Sequence, residues 1–233
     1  MLGIICHRLK ELPWTGHVSM QFYNEPLMNP NLDHITAEIE KACPGCLPGF
    51  DTDGDYLTMG RCESLLRAGI KHIRVSRHKP YKEEWDDRIN LIVARFPHAV
   101  RVVPRDNHAW LNRGGLVKQL PGPNSMKGAK TCHRPTFATI NIDGKMLLCC
   151  CDFKSAHVMG DITQHSIRDI WNSYEYTPLR SRIRRGIFDT DMCRKCTETT
   201  PMSSKPNTLG SGTGRGTMEN IPAKIPTEKG ASS

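Results

Sequence analysis

The chain has 233 residues and a formal net charge of +8, which is enough length for one large domain or two small ones. Its ten cysteines accompany no signal peptide and no apolar run that could span a bilayer, which argues against an extracellular disulfide scaffold and predicts a reducing cytoplasm. We expect no membrane partner, and the positive charge alone does not indicate nucleic-acid binding.

The first half of the chain alternates strand-like and helix-like patterns. The predicted strands are residues 17–23, 47–52, 70–76 and 99–103, and the predicted helices begin after Asn31 or Asp33, at Thr58 and at Lys82. Such alternation builds a parallel sheet through right-handed crossovers, and ligands bind at the carboxyl ends of its strands. Glu25, Thr52 to Gly54 and Ser76 would lie at that edge.

A β-hairpin is predicted in the second half. Two strand-like runs, residues 136–142 and 145–150, flank the turn Asp143-Gly144. The second strand would carry Cys149. Because neighbouring strand residues face opposite sides, Cys150 would replace Cys149 if the register slipped by one.

The remaining patterns complete the domain organisation. Residues 166–185 predict a helix interrupted near Pro178. The composition after residue 198 has too few apolar residues to offset the entropy of ordering. The predicted division is an α/β domain over residues 1–105, a glycine- and proline-rich linker over 106–131, a small α+β domain over 132–198 and a disordered tail over 199–233.

Four cysteines are spaced as ligands of one metal centre. Cys193 and Cys196 form a C-x-x-C pair, Cys132 precedes the predicted hairpin, and Cys149 lies on its second strand. Four thiolates select zinc or an iron–sulfur cluster, and ligand softness does not decide between them. The other C-x-x-C, Cys43-Pro-Gly-Cys46, follows a predicted helix instead of opening one, so we assign it no redox role.

The second half resembles radical S-adenosylmethionine (SAM) proteins with a C-terminal SPASM or twitch domain. The resemblance rests on the order of four motifs: Cys132 to Cys149, Gly160-Asp161-Ile162, Ser166 to Ser173, and Cys193-x-x-Cys196. It implies one auxiliary [4Fe–4S] cluster held by Cys132, Cys149, Cys193 and Cys196. It also implies a peptide or small-molecule substrate and an electron donor such as a flavodoxin or ferredoxin.

The first half is similar to the sheet of the radical SAM partial barrel. Tyr23-Asn24-Glu25-Pro26 stands where that family has the motif that meets the SAM amino group. The resemblance implies SAM contacts by Asn24 and Glu25, by Ser76 at the end of a strand, and by Arg88 toward the SAM carboxylate.

One family motif is absent from these residues. The C-x-x-x-C-x-x-C that binds the catalytic cluster of radical SAM enzymes does not occur, and the sheet begins at the family's second strand. Two hypotheses follow. The chain is part of an enzyme that cleaves SAM to a 5′-deoxyadenosyl radical, or it is a non-catalytic iron–sulfur or zinc protein with a structural metal and a macromolecular partner.

Overall fold

The computed structural model describes residues 1–77, 83–104, 110–120 and 122–199. The strands are β1 His17–Ser19, β2 Leu47–Thr52, β3 His72–Arg77, β4 Val100–Pro104, β5 Thr139–Ile140, β6 Lys145–Leu147 and β7 Val158–Asp161. The α-helices are α1 Leu2–Lys10, α2 Leu32–Ala42, α3 Met59–Arg67, α4 Glu83–Arg95, α5 Ile167–Trp171, α6 Tyr176–Arg184 and α7 Asp191–Thr197. Short 3₁₀ helices cover Pro26–Met28 and Arg134–Thr136.

The first sheet is parallel throughout, with strand order β1-β2-β3-β4. Helices α2, α3 and α4 each follow one strand and precede the next, as in a partial (β/α) barrel. Phe50, Ile73 and Val75 from the strands are buried against Leu65 and Ile92 from the helices. The predicted α/β fold is confirmed, and all four strands end at one edge of the sheet.

The strand and helix predictions are confirmed where they depend on residues adjacent in sequence. Strand β2 has the predicted bounds, and Thr58 caps α3 by accepting a hydrogen bond from the backbone N–H of Arg61 at 3.1 Å. Strand β1 is shorter than predicted because the chain turns after Ser19, where the backbone N–H of Phe22 donates to Asn24 Oδ1. Helix α1 was not predicted.

Helix α1 packs on α2 at the start of the sheet. Its Cys6 and Leu9 are buried with Ile39, Cys43 and Cys46. Its Arg8 Nε also donates to the carbonyl of Ile162 at 2.8 Å. Helix α1 therefore contacts both the first sheet's helices and the chain after β7.

The second sheet is antiparallel, with order β5-β6-β7. The predicted hairpin forms, with Thr139 opposite Leu147 and Ile140 opposite Met146, but its strands are shorter than predicted and Ile142 joins Asp143 and Gly144 in the loop. Gly144 takes the left-handed conformation that the Asp-Gly turn requires, with φ of 78°. Strand β7 was not predicted. Cys149 lies after β6 and not on it, so that part of the hairpin prediction was wrong.

The helical region also differs from its prediction. The interruption falls between Trp171 and Tyr176, ahead of Pro178. Pro178 lies in the first turn of α6, where backbone N–H groups lack helical partners and proline is tolerated. Trp171 packs edge-on against Tyr176 with ring centroids 5.5 Å apart.

Two predictions about the domain organisation are not tested by the structure. The tail predicted as disordered lies, from residue 200 onward, outside the described residues. The division at residues 105, 131 and 198 stays a prediction. Among the described residues, no helix is long and apolar enough to cross a membrane.

Candidate metal centre

One cavity near α7 is lined by five cysteines. They are Cys132, Cys149, Cys151, Cys193 and Cys196. The other lining residues are Met126, Arg134, Pro135, Ile183, Phe188, Met192 and Thr197. Of the residues that the structure describes, no carboxylate and no histidine lines this cavity, so its ligand atoms are sulfurs.

Helix α7 positions two of these cysteines one turn apart. Thr190 caps the helix, because its Oγ1 accepts a hydrogen bond from the backbone N–H of Cys193 at 3.1 Å. The carbonyl of Cys196, near the end of the helix, accepts a bond from Asn124 Nδ2 at 2.9 Å. The carbonyl of Lys195 accepts one from the buried Asn112 at 2.8 Å. Thr190 thus satisfies a backbone N–H at the start of α7, and two side chains from between β4 and β5 satisfy carbonyls at its end.

A tight loop positions Cys149 and Cys151. The backbone N–H of Asp152 donates to the carbonyl of Cys149 at 3.1 Å. The Asp152 carboxylate is buried and accepts bonds from the backbone N–H groups of Ala156 and His157 at 2.8 and 2.7 Å. This loop fixes the sulfurs that follow β6.

Hydrogen-bond donors face the cavity cysteines. The backbone N–H of Cys151 lies 3.4 Å from Cys149 Sγ. The backbone at Arg134 acts to lower the pKa of Cys132, and the backbone at Gly114 helps to lower that of Cys196. Donors of this kind stabilise a thiolate over a thiol and are typical around metal-bound sulfur.

The thiols differ in how readily they ionise. Burial raises the pKa of Cys132, and it raises the pKa of Cys193 to about 12. A hydrogen bond from the Cys151 thiol is the main cause that lowers the pKa of Cys196 to about 7. The pKa of Cys151 is raised, mainly by its closeness to the Cys149, Cys150 and Cys196 thiols and by burial.

Cys150 does not line the cavity. Its sulfur lies 3.6 Å from Arg134 Nη1, and its pKa is lowered to about 5, mainly by a hydrogen bond from Cys151. Cys151, two residues after Cys149, lines the cavity instead, and sequence reasoning did not single it out. The run of three consecutive cysteines indicated further candidate ligands, but only the conformation of the loop after β6 shows that Cys151 lines the cavity and Cys150 does not.

A second group of predicted residues lies at the carboxyl edge of the first sheet. Glu25 Oε1 accepts hydrogen bonds from Thr52 Oγ1 at 2.7 Å and from the backbone N–H of Leu27 at 3.0 Å. Glu25 Oε2 accepts one from the backbone N–H of Asp53 at 3.1 Å. The carboxylate of Glu25 is therefore held against the end of β2.

Arg88 and Ser76 approach the same edge. Arg88 Nη2 donates to the carbonyls of Gly54 and Asp55 at 3.0 and 3.2 Å, which places it on the turn that Glu25 also contacts. Arg88 Nε is buried without a hydrogen-bond partner. Ser76 is buried in the next strand, and Asn24 is exposed, with its Oδ1 bonded to the backbone N–H of Phe22 at 3.0 Å.

The remaining C-x-x-C pair is separate from the cavity. Cys43 and Cys46 are buried between α1 and α2. Cys43 Sγ donates to the carbonyl of Trp14 at 3.2 Å, and burial raises the pKa of Cys46 to about 12. These features are typical of thiols packed in a hydrophobic core, and we assign this pair no redox role.

Comparisons with known proteins match both halves of the chain. Residues 132–197 match the SPASM family, an iron–sulfur cluster-binding domain. The S-adenosyl-L-methionine-dependent 2-deoxy-scyllo-inosamine dehydrogenase of Niallia circulans is 28% identical over 194 residues, which cover 82% of this chain and 77% of that protein.

Two solved structures are similar across most of the chain. The crystal structure of BtrN in complex with AdoMet and 2-DOIA has a TM-score of 0.75 at 27% identity, covering 84% of this chain and 78% of BtrN. Selenomethionine BtrN in an open conformation has a TM-score of 0.64 at 25% identity, covering 84% and 77%. Together with the parallel sheet and the cysteine-lined cavity, these matches support the expected resemblance to radical SAM proteins with a C-terminal SPASM domain.

Proposed function

We propose that Cys132, Cys149, Cys193 and Cys196 hold one auxiliary [4Fe–4S] cluster. The observation that carries the proposal is the one cavity that all four line, with the backbone N–H of Cys151 facing Cys149 Sγ. Cys151 also lines the cavity, but it is not part of the motif order on which the resemblance rests.

The family match favours a cluster over a zinc ion. Four thiolates suit either group, but residues 132–197 match an iron–sulfur cluster-binding domain.

The edge containing Glu25 is proposed to bind SAM. A carboxylate has about four acceptor positions, and Glu25 uses three for hydrogen bonds within the chain, which leaves one for the SAM ammonium. The buried, unpartnered Nε of Arg88 suits the SAM carboxylate. Asn24 and Ser76 complete the proposed contacts.

The reaction supported best is the SAM-dependent oxidation of a hydroxyl group on a small molecule. Similarity to a dehydrogenase and to BtrN over most of the chain favours this substrate class over a peptide. When bound, the auxiliary cluster supplies a one-electron acceptor. The catalytic C-x-x-x-C-x-x-C is not among these 233 residues, so reductive cleavage of SAM is assigned to an assembly that contains it, together with an electron donor such as a flavodoxin or ferredoxin.

Metal analysis after anaerobic purification tests the cluster. We expect about four irons and four sulfides per chain, and loss of both in the double variant Cys193→Ala, Cys196→Ala. The matched control is Cys43→Ala, Cys46→Ala, which removes the other buried C-x-x-C and should keep the iron. One zinc and no visible chromophore would overturn the proposal and favour a structural metal with a macromolecular partner.

Calorimetric titration with SAM tests the other site. We expect saturable binding that weakens at least tenfold in Glu25→Gln, because the amide places N–H donors where Glu25 now accepts bonds. Glu38→Gln, in α2, is the matched control for charge. Equal affinity in all three proteins would contradict the assignment of Glu25.

A further inference from the structure

Arg134 is a half-buried cation at the cysteine cavity, and no carboxylate among the described residues pairs with it. Its side chain lines the cavity, and its Nε is buried without any hydrogen-bond partner. A guanidinium N–H that is removed from water without an acceptor destabilises the fold, so an anionic group in the cavity would be stabilising.

The neighbours of Arg134 are sulfurs. Its Nη1 donates to Cys150 Sγ at 3.6 Å, and the proposed ligands line the same cavity as its side chain. Arginine is effectively always protonated in proteins, so the guanidinium is charged beside this cavity and keeps its Nε–H unused.

We propose that Arg134 is the counter-ion and hydrogen-bond donor of the auxiliary cluster and raises its reduction potential. The inference rests on the proposed function, because it needs a cluster in the cavity. A [4Fe–4S] core with four thiolate ligands is anionic, and reduction adds a further negative charge. A fixed cation therefore favours the reduced state, and hydrogen bonds to the sulfurs act in the same direction.

The position of Arg134 makes this role specific. It follows the first proposed ligand by two residues, and Pro135 together with the 3₁₀ helix Arg134–Thr136 fixes the backbone there. Arg180, in contrast, lies over the rings of Trp171 and Tyr176 and donates to the carbonyl of Trp171. It is a half-buried arginine of the same region that does not line the cavity.

The test is a redox titration of the cluster followed by electron paramagnetic resonance. We expect Arg134→Met to lower the potential enough to change the oxidised-to-reduced ratio at least tenfold, which is about 59 mV for one electron. Arg134→Lys should recover part of this shift, because it keeps the charge without the planar N–H donors. Arg180→Met is the control and should leave the potential unchanged.

The outcomes separate the inference from the proposed function. Wild-type protein without iron would overturn both. Full iron with the same potential in wild type and Arg134→Met would overturn the inference alone. If Arg134→Met holds no iron, the reduction potentials of Arg134→Lys and Arg134→Gln are compared. A potential higher by at least about 59 mV in Arg134→Lys, which is a tenfold change in the oxidised-to-reduced ratio, supports the role of charge. Equal potentials in the two variants overturn it.

Discussion

The hydroxyl of Tyr23 donates a hydrogen bond to the carbonyl of Cys150 at 2.8 Å, across 127 positions of sequence. The Tyr23 ring also contacts Phe153 edge-on at 4.5 Å between centroids, and the guanidinium of Arg113 lies 4.8 Å from its centre. Tyr23 directly precedes Asn24 and Glu25, so one side chain ties the proposed SAM edge to the cysteine loop. Burial raises its pKa to about 12, which keeps the hydroxyl protonated as a donor.

Removing that hydroxyl should loosen the cysteine loop slightly. We expect Tyr23→Phe to lower the free energy of unfolding by about 0.5–1.5 kcal/mol, because it loses one hydrogen bond and keeps the ring. Tyr23→Ala should cost more, since it also removes the contacts with Phe153 and Arg113. Chemical unfolding under anaerobic conditions measures both, with Tyr174→Phe, at a side chain 88% exposed, as the control. Equal losses in Tyr23→Phe and Tyr174→Phe would contradict the role of the hydrogen bond.

Alanine substitutions at Gly114 and Gly128 distinguish the cost of backbone strain from the cost of steric crowding at the cavity. Both glycines are left-handed, with φ of 67° and 66°. A Cβ at Gly114 would lie 2.6 Å from Met192 Cγ, whereas one at Gly128 meets nothing within 4 Å. Alanine at either position should cost about 1–2 kcal/mol in backbone strain, and Gly114→Ala should cost roughly 1–3 kcal/mol more through overpacking.

The two variants should also differ in iron content. Gly114 packs against Met192 and the carbonyl of Cys151, which both belong to residues that line the cavity, so moving it should reduce bound iron. Gly128→Ala should retain the wild-type amount. The measurement is iron per chain together with the unfolding midpoint, and matching values for the two variants would show that Gly114 is not part of the site.

Local signals made much of this architecture predictable. Strand β2, the Thr58 cap and the Asp143-Gly144 turn follow from residues adjacent in sequence. The four proposed ligands follow from cysteine spacing and motif order. A spacing argument needs no knowledge of distant contacts, because ligands of one centre must meet wherever the chain runs between them.

The missed features depend on contacts between distant segments. Gly114 reaches Cys196 from a stretch that looks like a linker, since glycine and proline hide its packing. The inward direction of Cys151 is set by the loop that Asp152 closes. Arg134 resembles any surface arginine until the cavity beside it is known. Side-chain direction in a loop is a tertiary property, and periodicity does not encode it.

Three consecutive cysteines offer an internal test of ligand identity. We expect Cys149→Ala to lose most of the iron, and Cys150→Ala to retain it because its sulfur does not line the cavity. Cys151→Ala should retain iron but change the electron paramagnetic resonance spectrum, since Cys151 lines the cavity beside Cys149. Loss of iron in Cys151→Ala with retention in Cys149→Ala would show that Cys151, and not Cys149, is the ligand.

The cap of α7 should matter more to the metal than an equivalent cap elsewhere. Thr190 Oγ1 accepts from the backbone N–H of Cys193 at 3.1 Å, and Ser166 Oγ accepts from that of Asp169 at 3.0 Å. Replacing either by alanine should cost about 1 kcal/mol, because each leaves one helix-end donor unsatisfied. Only the Thr190 bond fixes the backbone of a proposed ligand.

Thr190→Ala should therefore release iron to a chelator faster than Ser166→Ala, at a similar loss of unfolding free energy. Chelator competition followed by loss of the visible chromophore measures the release rate, and chemical unfolding measures the stability. Thr190→Ser keeps the accepting oxygen and should restore the slow release. Equal release rates in the two alanine variants would mean that the cap stabilises the fold without positioning Cys193, since a purely global effect acts alike at both helices.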